Sequence, residues 1–146
     1  MDNNIKQVIV IRKDLHMRQG KSCASAAHAS MKVLLDVLKE IHSVPRGVIF
    51  GMEITPINNF QEKNTRQLDC LEKWIKGTFT KIVVYVKSEE ELLEVFNRAK
   101  DEGIFCSLIE DVGKTEFNGV PTKTCCAIGP DESEIIDKIT GKLPLL

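Results

Sequence analysis

The sequence predicts a single three-layer α/β domain: a mixed four-stranded sheet with helices on both faces, in the order β-α-α-β-α-β-β-α. Three observations carry this. Short β-branched runs alternate with amphipathic helical stretches along the chain. The runs Val8-Ile9-Val10-Ile11 and Ile82-Val83-Val84-Tyr85-Val86 lack polar alternation, as strands covered on both faces do. The first three strands are joined through helices, which permits right-handed parallel crossovers; the last two are not, which favours an antiparallel step.

The first strand ends at Arg12-Lys13, and Asp14 to Gly20 reads as a loop. A long helix is predicted from about Lys21 to Ile41. Its apolar residues Ala24, Ala27, Met31, Leu34, Leu35, Leu38 and Ile41 recur at helical spacing and are expected to face the core. Small residues crowd its first turns, which lets a helix lie close to a sheet. From about 42 to 64 the periodicity fades among Pro45, Gly47, Gly51 and Pro56, so this segment is expected to be an atypical insertion. A helix follows over Thr65–Lys76, with Gly77 as its stop.

After the strand at 82–86, Ser88 and Glu91 form a capping box that opens a helix to about Glu102, closed by Gly103. A third strand is predicted over Ile104–Ile109 and a fourth over Thr122–Ile128. The last helix is expected to start at Asp131, with Glu134 at the capping-box position, and to end near Gly141.

At 146 residues the chain is long enough to bury about 70% of its unfolded surface. Hydrophobic residues make up 42% and charged residues 28%, an ordinary globular composition. No apolar run approaches the ~20 residues that span a bilayer, and Met1 to Lys6 contain no signal-peptide core. The five cysteines lack any CxxC spacing, which disfavours a disulfide framework or a zinc knuckle. The expectation is a reduced, cytoplasmic protein.

The net charge of −1 excludes a strongly basic nucleic-acid binder, but the charge is unevenly spread. The first 76 residues carry four surplus positive charges and the remainder five surplus negative ones. A basic and an acidic face are thereby permitted.

Ligands of open α/β sheets bind beyond the carboxyl ends of the strands. Two polar segments are expected there, residues 12–21 and 110–115. The first holds Arg12, Lys13, Arg18 and Lys21 against Asp14. Lys21 stands at a helix N-terminus, which favours anions and disfavours a cation. Lys21, Ser25, His28 and Lys32 fall on one polar stripe, with His28 nearest the apolar edge as a candidate core histidine. Asp111, before Gly113, can orient a water, pair with Lys21, or cap its own turn. GxGxxG, P-loop and HExxH motifs are absent, and Cys125-Cys126 reads as two buried residues on opposite faces of a strand.

Three stretches go further. They are Val10-Ile11-Arg12-Lys13-Asp14-Leu15-His16-Met17-Arg18-Gln19-Gly20-Lys21, continuing to His28-Ala29; Asp111-Val112-Gly113-Lys114-Thr115; and Thr122 through Ala127-Ile128-Gly129-Pro130 to Leu145-Leu146. In this order they resemble the archaeal- and eukaryotic-type peptidyl-tRNA hydrolase family, with its R-x-D-L-x-M-x-x-G-K loop, D-A-G-x-T turn and A-I-G-P corner.

That resemblance implies a hydrolase of the ester between a peptide and the 3′ end of tRNA, without metal or organic cofactor and often dimeric. It places the catalytic role on Lys21, Asp111 and Thr115, with His28 and Thr122 or Thr124 nearby. Arg12, Lys13, Arg18 and Lys32 are expected to take tRNA phosphates. Ser25 and Lys114 stand where the family usually has Gln and often Arg, and are counted with the substrate-binding residues. Those two departures motivate an alternative, a non-catalytic tRNA- or RNA-binding module of the same fold. A protein–protein adaptor, using the acidic half or residues 42–64, is the other.

Overall fold

The computed structural model describes residues 4–42, 47–49, 52–54, 59–113 and 117–146, the two short segments by their backbone alone. Strand β1 (Ile5–Arg12) is buried along nearly its whole length, as its β-branched run requires. It leads through a 3₁₀ turn at Lys13–Leu15 into α1 (Gln19–Ile41). Strands β2 (Gly47–Ile49) and β3 (Met52–Ile54) pair with each other and, among the described residues, with no other strand, and α2 (Asn59–Lys63) and α3 (Thr65–Lys76) follow. The rest of the chain forms β4 (Lys81–Val86), α4 (Glu89–Asp101), β5 (Cys106–Asp111), β6 (Thr122–Glu132) and α5 (Ser133–Thr140).

The main sheet has the order β4-β1-β6-β5. β1 and β4 are parallel, with Val8 opposite Ile82 and Val10 opposite Val84. β6 runs antiparallel to both β1 and β5. The three strands β1, β4 and β5 therefore point the same way, and their carboxyl ends share one edge. This is the mixed four-stranded sheet expected from the pattern.

Helices cover both faces. On one, Val8, Val10, Val86, Cys126 and Ile128 pack with Leu92, Val95 and Ala99 of α4 and Ile136 and Ile139 of α5. On the other, Ile9, Ile11, Cys125 and Ala127 meet Ala29 and Val33 of α1, and Val37 joins Cys70, Leu71 and Trp74 of α3. Cys125 and Cys126 thus face opposite layers, as neighbours on a strand must. The two sheet edges differ. The C-terminal tail lies along β4: Tyr85 N–H donates to the Pro144 carbonyl at 3.0 Å, and Leu146 N–H to the Val83 carbonyl at 3.1 Å.

Three expectations are corrected. The segment after α1 contributes the antiparallel pair β2 and β3 and the helix α2, elements absent from the predicted order. The buried line of α1 is Ser25, Ala29, Val33 and Val37; of the expected stripe Leu34 and Ile41 do pack against the core, but Met31 is 62% exposed, and Leu35 and Leu38 also face outward. Small side chains win that line because the helix lies close to the sheet. Finally, β6 runs on through Asp131, and α5 starts at Ser133 without a side-chain cap. Asp131 is a fully buried residue of β6, and its carboxylate is engaged elsewhere. Its Oδ1 accepts from the Arg66 guanidinium and from the Glu132 N–H, the latter at 2.7 Å. Half of the capping box at Ser88 forms: Ser88 Oγ accepts from Glu91 N–H at 3.1 Å, while the Glu91 carboxylate reaches one residue further back and accepts from Lys87 N–H at 3.0 Å.

Candidate active site

Lys21 sits in the first turn of α1, where the helix leaves the carboxyl end of β1. No acidic residue occupies that turn and Arg18, the N-cap residue, provides no side-chain cap. A cation there is opposed by the helix dipole and needs a compensating anion. Asp111 supplies it. As the last residue of β5 it reaches the same edge, and its Oδ2 pairs with the Lys21 ammonium across 90 residues of sequence. The two side chains are 19% and 18% exposed, so the pair is neither surface decoration nor sealed core.

The other carboxylate oxygen is also held. Asp111 Oδ1 accepts from the Gly113 N–H at 2.7 Å. Pairing with Lys21 and turn-capping, which the sequence left as alternatives, are therefore both present. The Lys21 ammonium, and after it the Gly113 N–H, hold the Asp111 carboxyl below the usual carboxylate range against the opposing effect of burial. Gly113 has φ +81°, and a Cβ there would collide with the Val120 backbone. The turn closes through Gly119 N–H to the Gly113 carbonyl at 2.7 Å and Val120 N–H to the Phe117 carbonyl at 2.9 Å. It carries the Phe117 ring to 5.9 Å from the Lys21 ammonium.

Around this pair the structure gathers some expected residues and separates others. His28 is exposed, and its charge adds to the lowering at Asp111, so it is not a core histidine. Thr122 lies opposite Asp111 in the β5–β6 ladder and donates from Oγ1 to the Val120 carbonyl at 2.9 Å. Thr124 is fully buried beside the Cys125 thiol, at the point where the β5–β6 register slips. Ser25 is buried beneath the site, its carbonyl accepting the Cys125 thiol at 3.2 Å. Thr115 and Lys114 lie outside the described residues.

The cations expected to take phosphates differ in setting. Arg18 and Lys13 are exposed, and the Lys13 ammonium stands 4.3 Å from the Tyr85 ring centre. Lys32 pairs with Asp36 at 2.8 Å, one helical turn on. The Arg12 side chain is only 10% exposed. It is bound to Asp14 at 2.7 Å and to the Lys123 carbonyl at 3.1 Å, with Glu89 at 3.6 Å. Glu89 also faces Lys123 at 3.5 Å. Sequence reasoning missed Phe117, whose signal was an aromatic flanked by Gly113 and Gly119 just after the Asp111 turn. It also missed Glu89, which nothing local links to Arg12. Among the described residues no three His, Cys, Asp or Glu side chains converge as metal ligands.

Chemically, an ionised carboxylate touching an ammonium at an open sheet edge can orient a water and stabilise a developing oxyanion. The sequence as a whole matches the profile of the family described as Peptidyl-tRNA hydrolase PTH2, over residues 5–146. The chain belongs to the PTH2 family. Relatives named peptidyl-tRNA hydrolase include one from Methanocaldococcus jannaschii, 38% identical over 97% of this chain and all of the relative. Others are that of Sulfolobus acidocaldarius, 34% identical over 97% of this chain and all of the relative, and that of Nanoarchaeum equitans, 38% identical over 97% and 98%. The PTH2 match begins at the first residue of β1 and takes in the whole sheet and both residues of the Lys21–Asp111 pair. No helix among the described residues is long and apolar enough to cross a membrane.

Proposed function

We propose that the chain hydrolyses the ester joining a peptide, or an N-blocked amino acid, to the 3′-terminal ribose of tRNA. The observation that carries this is the Lys21–Asp111 pair, standing at the carboxyl edge of the sheet in a chain of the PTH2 family. Asp111 orients and deprotonates a water, whose oxygen attacks the ester carbonyl carbon. The oxygen of the tetrahedral intermediate faces the Lys21 ammonium, which stabilises its charge. Collapse breaks the bond to the ribose oxygen, which takes the proton held by Asp111, and free tRNA and the peptide acid leave. Thr115 is assigned to holding this geometry, with Ser25, His28, Thr122 and Thr124 around it. Lys13, Arg18, Arg12, Lys32 and Lys114 are assigned to the tRNA backbone. Lys13 and Arg18 are exposed, and Arg12 and Lys32 pair with carboxylates of the chain. We place the reaction in the cytoplasm and assign it no metal.

A second copy of the chain is the proposed partner of the outer face of α1, where Met31, Leu35 and Leu38 stand exposed. Sedimentation of the wild type and of Leu35→Lys tests this; a monomer in both sinks it.

The enzymatic reading is tested by incubating purified protein with N-acetyl-aminoacyl-tRNA in the presence of chelator. Cleavage by the wild type, lost in Lys21→Ala and Asp111→Ala, is expected. Salt-sensitive tRNA binding without cleavage would instead mark a binding module.

A further inference from the structure

The strand that ends in Asp111 is an edge strand. β5 pairs with β6 on one side, and among the described residues no strand pairs with it on the other. The contrast with β4 is informative, because the tail at 144–146 covers that edge. Exposed edges invite strand addition, and proteins usually blunt them. Here one is blunted and the one leading to the candidate active site is not.

The polarity of the open edge can be read from one bond. Gly129 N–H donates to the Phe105 carbonyl at 2.8 Å, so residue 105 turns its backbone toward β6. Alternation along the strand then turns 107 and 109 the same way. Cys106, Leu108 and Glu110 are left with their N–H and C=O groups directed away from the sheet. A groove of about 660 Å³ runs beside the first part of this edge, between Lys32 and Asp36 of α1 and Phe96 and Lys100 of α4, with Leu108 in its wall. The charges lining it are mixed, and Phe60, Phe96 and Phe105 add apolar wall.

We propose that the peptidyl part of the substrate binds as an added strand along the open edge of β5, parallel to it, delivering its C-terminal ester carbonyl to Asp111 and Lys21. This rests on the function proposed above and goes beyond it by naming where the peptide lies. Three features support it. The edge strand terminates at the water-orienting carboxylate, so the last residue of a parallel added strand arrives at the reacting pair. The tRNA then extends past the sheet edge, toward Lys13 and Arg18. Main-chain hydrogen bonding ignores sequence, which suits an enzyme whose substrates share only a peptide backbone. The six residues of β5 span about 17 Å, room for about five substrate residues.

The test uses the unmodified protein and varies the substrate. A series of N-acetylated peptidyl-tRNAs with one to eight residues is compared by kcat/KM. The value should rise by about tenfold or more up to about five residues and then level off. A second series places a single N-methyl group at successive peptide bonds of a five-residue substrate. Loss should alternate, about tenfold where the N–H faces β5 and little at the bonds between. A flat length series, or N-methyl effects without alternation, overturns the added strand. Cleavage of the one-residue N-acetyl substrate separates the two readings. If it is cleaved and the series is flat, only this inference fails. If no member of the length series is cleaved, the hydrolase reading fails and this inference falls with it.

Discussion

Ser107 ties the strand that carries Asp111 to the helix that carries Lys21: its hydroxyl donates to the Ala29 carbonyl at 2.7 Å, and both residues are buried. The bond joins β5 to α1 about 12 Å along each element from the ion pair. Ser107→Ala should cost about 1 kcal/mol in urea unfolding and little in turnover. Ser107→Val, which must push the two elements apart, should reduce kcat more than it raises KM. If the valine variant kept wild-type kcat, Ser107 would have no positioning role.

Removal of either partner of the pair should be severe for turnover. Lys21→Ala and Asp111→Asn should each lower kcat/KM by about 10²- to 10⁴-fold, the usual range for a lost acid–base or oxyanion group. The double variant should be little worse than either single one, because the two act as a unit. Circular dichroism and urea midpoints verify that the fold survives. Additive losses would argue against joint action.

The pair also fixes a pH dependence. Asp111 has a folded-state pKa below its ordinary 3.8, chiefly because of Lys21. Its ionised form stabilises the fold, so that contribution is fully present above the ordinary carboxylate pKa. It is lost as pH falls below that value, through the lowered folded pKa. Carboxyl-carbon NMR should find Asp111 titrating below 3.8 in the wild type and moving upward in Lys21→Met. An unchanged midpoint would mean that the ammonium does not hold the carboxylate in solution.

The thiols should differ sharply in reactivity. Burial pushes Cys106 and Cys125 up to about 11, raises Cys126 well above the ordinary range, and with the Asp131 charge raises Cys70. Only Cys23 is exposed. A thiol reagent at pH 8 should therefore modify one cysteine quickly in the native protein and all five in denaturant. Rapid native labelling of more than one thiol would contradict the buried setting of Cys70, Cys125 and Cys126 and the half-buried one of Cys106.

Arg66 should matter to stability far more than a surface arginine does. It is the cationic partner of fully buried Asp131, whose Oδ2 has no hydrogen-bond partner among the described residues. Arg66→Met should destabilise by about 2 kcal/mol or more, because it strands a buried carboxylate. Arg66→Met combined with Asp131→Asn should recover part of that loss. Equal urea midpoints for Arg66→Met and the wild type would show that the pair contributes nothing.

Sequence legibility followed locality. The β-branched runs, Gly77, Gly103 and the Ser88–Glu91 box act within a few residues, and the elements they predict are present. The inward face of α1 was misread because hydropathy favours Met31, Leu35 and Leu38, whereas close approach to the sheet admits only Ser25, Ala29 and Val33. Asp131 looked like a helix cap because its partner, Arg66, lies 65 residues away. The Lys21–Asp111 pair was readable as a possibility, since strand direction brings both segments to one edge. The family motifs singled it out, and the structure joins it. The Arg12–Glu89–Lys123 cluster had no such guide, because it assembles three separate elements.

The C-terminal tail has a consequence for assembly. With Pro144–Leu146 occupying β4, the sheet has, among the described residues, a valence of one: a single further strand fits, on β5. Whatever docks there terminates growth. A divalent sheet of the same composition could stack molecule upon molecule into a fibre. Strand pairing through this sheet stops at a capped pair or a complex with one extended peptide. The last three residues would then act as a chain terminator in the polymer chemist's sense, and trimming them should convert a self-limiting protein into one that polymerises with concentration.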